Sequence, residues 1–322
     1  MTRQRIPDEI LSAAHARSQA RADRDWARAD ELRAEIEAAG WKVVDRGTDF
    51  ALTPIAAPDL EDGGRTRYGS ARSVPSRLDE PATDTATIVL VATDWPDDLS
   101  RALAGLRAHA PNGTSVVVVG DAPSDEQAEA LTALEAETAS TPPVEVVWTG
   151  TRLGQGEALD IGLRRSTGEV VIVADTGIEA TGDIVTPLVR ALDDPTVGVA
   201  GAYGIVSDDL RRFRDAPAGD VDAIEGYVQA FRRADYRDRG PFDARFRFYR
   251  NLDIWWSLVL RDEGEGETPR RAVAFAGLPL VRHEHRGWTS LPDKERDRQS
   301  KRNFYRIIDR FGWRRDLLVS ST

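Results

Sequence analysis

The 322-residue sequence contains no cysteine, one methionine and four histidines. Without cysteine the chain can form neither a disulfide framework nor a thiolate metal site, and it has no cysteine nucleophile. Long apolar runs are also missing: runs such as residues 116–119 and 170–174 have the length of β-strands and are too short to cross a bilayer. The first thirty residues are charged throughout and lack the apolar core of a signal peptide. We therefore expect a soluble, cytoplasmic protein without a transmembrane segment.

Basic residues are fewer than acidic residues in this chain. The chain has 43 Lys and Arg against 54 Asp and Glu, a formal net charge of -11. Binding of a nucleic-acid backbone requires concentrated positive charge, so the chain as a whole is poorly suited to it. The exception is residues 282–316, which include eleven basic and six acidic residues. An anionic ligand is therefore expected near the carboxyl-terminal end.

Three regions of the chain differ in composition. Residues 1–53 predict a small module, with a helical stretch over 6–39 followed by a β-hairpin. Residues 54–85 are rich in proline and glycine, which predicts an extended, flexible linker. Residues 86–322 form the predicted main domain, which ends in a basic amphipathic helix over residues 294–315.

In the main domain, strand and helix patterns alternate. Strands are predicted at 87–92, 115–120, 144–149 and 169–174, and helices at 96–109, 124–137 and 156–166. The strands are unbroken runs of Val and Ile, which is typical of strands covered on both faces. We therefore predict an α/β fold with a mainly parallel, Rossmann-like sheet between helices. Such sheets bind ligands beyond the carboxyl ends of their strands, where the candidates Thr93, Asp121, Arg152 and Asp175 lie.

Several motifs over about residues 86–290 resemble family 2 glycosyltransferases. Three of them, in order, are a strand ending in an acid (VVVVGDAPSD, 116–125), a helix (GQGEALDIGL, 154–163) and a second strand with an acid at its end (GEVVIVADTG, 168–177). Two later segments, GYVQAFRR (226–233) and GPFDARF (240–246), are similar to the acceptor side of that family. The resemblance implies the GT-A fold. It also implies inverting transfer of a sugar from a nucleotide-sugar donor, UDP-linked sugars being favoured, to an acceptor hydroxyl.

The resemblance also implies roles for individual residues. Asp121 would contact the nucleobase, and Asp175 would lie beside the ribose, the diphosphate or a metal, with Thr93 and Arg152 in the same donor site. Asp175 takes the place of the family's Asp-x-Asp motif, whose second acid is replaced here by Gly177. The alternative role for Asp175 is to cap the turn that follows its strand.

A metal site is predicted from two nearby histidines. His283 and His285 alternate, so an extended backbone places both on one side. Together with Asp175 they offer oxygen and nitrogen ligands suited to Mn²⁺ or Mg²⁺. The alternative is a pair of hydrogen-bonded structural histidines.

The reaction implied by the resemblance needs a general base that takes the proton of the acceptor hydroxyl. The family's adjacent Glu-Asp pair is absent, and Asp253 is the carboxylate present in the corresponding segment, 248–256. Asp253 is therefore the candidate catalytic residue. The alternative is an N-cap for a helix predicted over 254–263, because Asp favours that position; one residue could also do both.

Residues 6–45 resemble the carboxyl-terminal tail of cysteinyl-tRNA synthetases, most closely over 25–33. Residues 1–50 carry nine basic and ten acidic side chains, which does not favour independent RNA binding. We interpret this segment as a helical module for association, self-association included, and contact with tRNA stays open. Two alternatives for the whole chain also stay open: a binding module that kept the transferase fold without its chemistry, and an RNA-associated protein.

Overall fold

A computed structural model describes residues 6–46, 49–137 and 139–319 of the chain. These residues divide into two units, Met1–Ser70 and Ala71–Thr322. The division falls inside the segment 54–85, which the composition predicts to be a linker, so part of that segment belongs to each unit.

The first unit contains two helices and two antiparallel hairpins. Its elements are α1 (Asp8–Ala22), α2 (Trp26–Ala38), β1 (Trp41–Arg46), β2 (Asp49–Pro54), β3 (Leu60–Asp62) and β4 (Arg65–Tyr68). The helical stretch predicted over 6–39 is interrupted, because Asp25 caps α2 and accepts a hydrogen bond from Arg28 N (3.1 Å). A small core of Ile10, Ala14, Ile36, Trp41 and Val43 holds the unit together.

Residues 71–83 also differ from the predicted flexible linker, because arginines of the second unit bind their backbone. Arg164 Nε donates to Val74 O (3.1 Å), and Arg233 donates to the carbonyl oxygens of Arg77 (3.1 Å) and Glu80 (2.7 Å). Proline and glycine content cannot reveal such bonds, since the donors come from distant parts of the chain.

The second unit contains the remaining elements. Its strands are β5 (Asp84–Ala92), β6 (Thr114–Gly120), β7 (Val144–Thr149), β8 (Gly168–Ala174), β9 (Ile178–Ala180), β10 (Val197–Gly201), β11 (Gly204–Ser207), β12 (Phe213–Ala216), β13 (Gly219–Val221), β14 (Ala223–Ile224), β15 (Val228–Arg232), β16 (Arg271–Ala274) and β17 (Leu280–Arg282). Its helices are α3 (Pro96–His109), α4 (Asp125–Glu135), α5 (Gln155–Arg165), α6 (Val185–Ala191), α7 (Arg233–Arg239), α8 (Leu252–Arg261), α9 (Arg286–Thr289) and α10 (Asp293–Phe311).

Within this unit the central sheet has the strand order β13-β16-β10-β15-β8-β5-β6-β7. Strands β8, β5, β6 and β7 run parallel to one another. Strand β15 joins β8 antiparallel and continues to β10. The parallel strands therefore present their carboxyl ends along one edge, and the antiparallel part extends the sheet beside that edge.

Helices cover both faces of the parallel strands. On one face Ile88 and Leu90 of β5 share a core with Leu103 of α3 and Leu131 of α4. On the other face α5 approaches so closely that a Cβ at Gly162 would lie 2.3 Å from Val89 Cγ1. Coverage on both sides explains the unbroken apolar runs, and the predicted α/β fold with helices on both faces is confirmed.

The basic helix α10 packs through polar contacts with the segment that leads into α8. Asn303 Nδ2 donates to the carbonyl oxygens of Phe248 and Arg250 (2.8 Å each), and Asn251 Nδ2 donates to Ser300 O (3.0 Å). This helix therefore helps to fix the position of the loop before α8. In the described ranges of the chain, no helix combines the length and apolar character that a membrane span requires.

Candidate functional site

Two cavities open beside each other at the carboxyl edge of the parallel strands. The first has a volume of about 240 Å³ and the second about 320 Å³. Their linings share Gln155, Ala174, Asp175, Tyr249 and His285, so these residues stand where the two cavities meet.

The first cavity brings together the four residues predicted from the strand ends. Thr93 follows β5, Asp121 follows β6, Arg152 follows β7 and Asp175 follows β8, and all four line this cavity. Their convergence follows from the parallel topology, which places every strand end on the same edge.

Asp121 is buried and holds the neighbouring loop. Its Oδ1 accepts hydrogen bonds from Leu153 N (2.7 Å) and Thr149 Oγ1 (3.2 Å), and its Oδ2 accepts one from Gly154 N (3.0 Å). Only 2% of the residue is exposed. The carboxylate therefore fixes the loop between β7 and α5, and its remaining acceptor capacity lies on Oδ2.

Arg152 lies in that loop and is oriented by a carboxylate. It makes a bidentate contact with Asp94 (3.0 and 3.1 Å) and also donates to Ala122 O (3.0 Å). The hydrogen bond with Asp94 raises the pKa of the Arg152 guanidinium, against the opposing effect of burial. Arg247 extends the basic lining, and it donates to Arg152 O (2.6 Å).

Asp175 has two different partners. Its Oδ1 accepts a hydrogen bond from Gly177 N (2.7 Å), so the residue does cap the turn after β8. Its Oδ2 lies 3.1 Å from His285 Nε2. The ring of His285 is stacked on Tyr249, with centroids 4.0 Å apart. The turn-capping role and a role in the site therefore coexist in one side chain.

His283 is directed elsewhere. Strand β17 pairs with β9, and this pairing places His283 Nε2 2.8 Å from Glu179 Oε2. Neither residue lines either cavity. Of the two histidines predicted to accompany Asp175, only His285 is beside it, because the ring of His283 is paired with Glu179 of β9.

Asp253 lines the second cavity, on the first turn of α8. The helix begins at Leu252 with Asn251 as its N-cap, so the alternative prediction that Asp253 is the N-cap is wrong. The Asp253 carboxylate accepts hydrogen bonds from Gly226 N and Ile254 N, both 2.9 Å. Burial raises the pKa of this carboxyl, and the two backbone hydrogen bonds oppose that rise.

A second carboxylate, Glu225, also lines this cavity but is paired with a cation. Arg282 contacts it at 3.0 Å and lies over the ring of Tyr227, 4.0 Å from the centroid. Burial raises the pKa of Glu225, and the charge of Arg282 acts in the opposite direction. For Asp253, by contrast, no ion-pair partner is found among the residues that the structure describes.

Comparison with known proteins identifies the family. The model of glycosyl transferase family 2 matches residues 87–252, which is just over half of the 322-residue chain. The chain belongs to glycosyl transferase family 2. No curated protein matches the sequence.

Solved structures agree with this family 2 assignment at the level of the fold. GalNAc-T7 with UDP, GalNAc and Mn²⁺ aligns with a TM-score of 0.56 and 16% identity over 70% of this chain and 48% of that chain. The mannosyltransferase PcManGT from Pyrobaculum calidifontis, in complex with GDP-Man and Mn²⁺, aligns with a TM-score of 0.53 and 20% identity over 74% of this chain and 67% of that chain. The chain thus spans about half the length of GalNAc-T7, and the predicted GT-A fold is confirmed.

The family 2 site can be tested for its fit to a divalent cation. Asp175 Oδ2 and His285 Nε2 face each other at 3.1 Å and offer one oxygen and one nitrogen ligand. Across the described ranges, no group of three or more His, Cys, Asp or Glu side chains is arranged to hold a metal. The pair therefore fits a cation that takes its other ligands from phosphate oxygens and water, as Mg²⁺ commonly does.

Sequence reasoning missed Tyr249, Glu225, Arg282 and Arg247 as lining residues. All four lie in segments between or after the recognised motifs. Each is a residue type common on any surface, and only the fold brings it to the cavities. Among the tryptophans, Trp288 lines the second cavity, whereas Trp256 is completely buried.

Proposed function

We propose that this family 2 protein transfers a sugar from a nucleotide-sugar donor, UDP-linked in the first instance, to an acceptor hydroxyl with inversion. The observation that carries the proposal is the pair of cavities that meet at Asp175, His285 and Tyr249. A two-substrate displacement requires two binding spaces that share one reacting point. The complexes of the two structural neighbours, with UDP and with GDP-Man, support a nucleotide-bearing donor.

In this proposal the first cavity holds the donor. Asp121 and Arg152 belong to its nucleotide end, with Thr93 beside them, and Asp175 and His285 lie at the diphosphate end. A divalent cation held by Asp175 and His285 would offset the negative charge that develops on the leaving diphosphate. The Mn²⁺ ions of the two neighbours support this assignment.

The second cavity would hold the acceptor, with Asp253 as the base. An inverting displacement needs a carboxylate that removes the acceptor's proton as the sugar carbon is attacked. Asp253 suits this task better than Glu225, because Glu225 is paired with Arg282 at 3.0 Å, whereas Asp253 accepts hydrogen bonds from backbone N–H groups and Arg250 acts on it only through its charge. A raised pKa also makes its carboxylate a stronger base.

Replacement of Asp253 by Asn tests the proposal. The variant keeps the side-chain shape and removes the base, so kcat for nucleotide release from the donor should fall by about 10²–10⁴-fold. The Kd of the nucleotide should stay unchanged, because Asp253 lies outside the first cavity.

The matched control is Asp222→Asn. Asp222 is also a buried carboxylate with a raised pKa, and it accepts backbone hydrogen bonds from Ser207 N (2.6 Å) and Val319 N (2.7 Å), but it lines neither cavity. Its loss should reduce stability and leave kcat intact. An Asp253→Asn protein that turns over at the wild-type rate would overturn the assignment of the base. Nucleotide binding without turnover in the wild type would favour the binding module that lost its chemistry.

The proposed role of the first unit is association and not catalysis. Its resemblance to the cysteinyl-tRNA synthetase tail suggests association, either with another copy or with tRNA. If the module self-associates, removal of residues 1–53 should abolish the self-association. If it binds tRNA, the same removal should abolish tRNA binding, and that binding should weaken steeply with salt. Residues 86–322 should still bind the donor, because the residues that line both cavities lie within that range.

A further inference from the structure

One buried side chain of the first cavity, Gln127, has an amide nitrogen for which no hydrogen-bond partner is found among the described residues. Gln127 lies in the first turn of α4, where Ser124 caps the helix by accepting a hydrogen bond from Gln127 N (3.3 Å). The residue is 1% exposed and lines the first cavity together with Asp121. Its Nε2 makes no hydrogen bond to any residue that the structure describes.

An unpaired buried amide is unfavourable for a folded protein. A buried donor without an acceptor loses its hydration and gains nothing in return, whereas an apolar side chain of the same shape would pack there without that penalty. Buried polar groups in proteins are nearly always hydrogen-bonded, so an exception calls for a partner from outside the chain. Gln127 lines the first cavity and does not line the second, so a ligand in the first cavity is the candidate partner for the amide.

The position of Gln127 indicates which part of a ligand it meets. Asp175 follows β8 and Asp121 follows β6, and β5 lies between these two strands. Two strand spacings separate their ends by about 10 Å, a distance that the ribose and phosphates of a nucleotide can span. With the diphosphate at Asp175 and His285, the Asp121 and Gln127 end of the cavity receives the nucleobase.

We propose that Gln127 is a specificity-determining residue that donates a hydrogen bond from Nε2 to a carbonyl oxygen of the donor's nucleobase. The inference rests on the proposed transferase function and narrows its donor. Asp121 Oδ2, which accepts one hydrogen bond within the chain, keeps acceptor capacity for an adjacent ring N–H. A donor beside an acceptor selects bases with a carbonyl next to a ring N–H, namely uracil, thymine and guanine, over cytosine and adenine.

This assignment changes the role predicted for Asp121. The sequence pattern gives nucleobase recognition to Asp121 alone, but three of its acceptor sites are taken by Leu153, Gly154 and Thr149. Asp121 then mainly shapes the loop, and Gln127 supplies the free donor. If the role of Gln127 were only structural, its side chain would stabilise the unliganded fold instead of selecting the nucleobase.

The test is calorimetric binding of UDP, CDP and inorganic pyrophosphate to the full chain and to its Gln127→Leu variant. We expect wild type to bind UDP at least about tenfold more tightly than CDP. We expect Gln127→Leu to bind UDP about tenfold more weakly than wild type does, which is the factor contributed by one neutral hydrogen bond. Affinity for pyrophosphate should not change. The melting temperature of the unliganded variant should be equal to or higher than that of wild type.

Several outcomes would overturn the proposal. Equal affinity of wild type for UDP and CDP would do so without any variant, and so would an unchanged UDP affinity in Gln127→Leu. A variant with a lower unliganded melting temperature and equal losses for UDP and pyrophosphate would show a structural role instead. Gln127→Met is the second variant, should Gln127→Leu fail to fold. A wild-type protein that binds none of UDP, GDP or dTDP would instead refute the proposed function itself.

Discussion

The buried carboxyl of Asp160 predicts an unusual dependence of stability on pH. Asp160 lies in α5, is 4% exposed, and accepts hydrogen bonds from Tyr236 Oη (2.7 Å) and Phe242 N (2.9 Å). Burial raises its pKa to about 7, and the two hydrogen bonds only partly oppose that rise. Because Phe242 lines the second cavity, this carboxyl also helps to hold the wall of the candidate acceptor site.

The sign of the effect follows from the two pKa values. In the unfolded chain an Asp titrates near 3.9, whereas in the folded protein Asp160 titrates near 7. Its protonated form is favoured by folding, so its contribution is fully present below about pH 4 and is lost as the pH rises to about 7. A difference of about three pKa units corresponds to a loss on the order of 4 kcal/mol.

Asp160→Asn isolates this contribution, since Asn keeps an acceptor oxygen but does not titrate. Urea unfolding of both proteins from pH 4 to 8 should show the variant gaining stability relative to wild type, by about 1.4 kcal/mol per pH unit at most. The control is Asp209→Asn. Backbone hydrogen bonds from Arg211 and Arg212 lower the pKa of Asp209, so the difference between this variant and wild type should change only at the acid end of the range and stay flat from about pH 5 to 8. A difference between Asp160→Asn and wild type that stays flat from pH 4 to 8 would show that the pKa of Asp160 is not raised by folding.

Three further predictions concern the loop, the core and the cation. Asp121→Ala leaves the buried backbone N–H groups of its loop unpaired and should lower the free energy of unfolding by about 1–3 kcal/mol in urea titrations; an unchanged midpoint would contradict the loop-holding role. Gly162→Ala places a Cβ 2.3 Å from Val89 Cγ1 and should cost about 1–3 kcal/mol by thermal unfolding; a variant as stable as wild type would mean that α5 can move away from the sheet. In calorimetry, Mn²⁺ should tighten UDP binding to wild type but not to His285→Ala, and an equal effect on both proteins would place the cation elsewhere.

The parallel half of the fold is predictable from the sequence because its signals are local and strong. Unbroken Val and Ile runs at 116–119 and 170–174 permit few alternatives to a buried strand, and the helix predicted at 96–109 matches α3. Because parallel strands end at the same edge of the sheet, the residues that follow them lie in one cavity, namely Thr93, Asp121, Arg152 and Asp175.

The antiparallel half is not predictable in the same way. Strands β11 to β14 are two to four residues long, and β13 pairs with β16, which lies far along the chain. For the same reason alternation alone could not separate His283 from His285, since the pairing of β17 with β9 decides which histidine reaches Asp175.

Gln127 shows a further limit of sequence reasoning. In the sequence it stands among Asp125, Glu126 and Glu129, which is typical of the exposed face of a helix. Its burial and its unpaired amide follow from the packing of α4 beside the first cavity, and a single sequence carries no trace of either.

The most direct test of the central claim is a crystal structure of the protein with UDP and Mn²⁺. We expect the uracil ring beside Asp121 and Gln127, the diphosphate at Asp175 and His285, and an open second cavity in front of Asp253. A nucleotide bound outside the first cavity, or one whose diphosphate points away from Asp175, would contradict the claim.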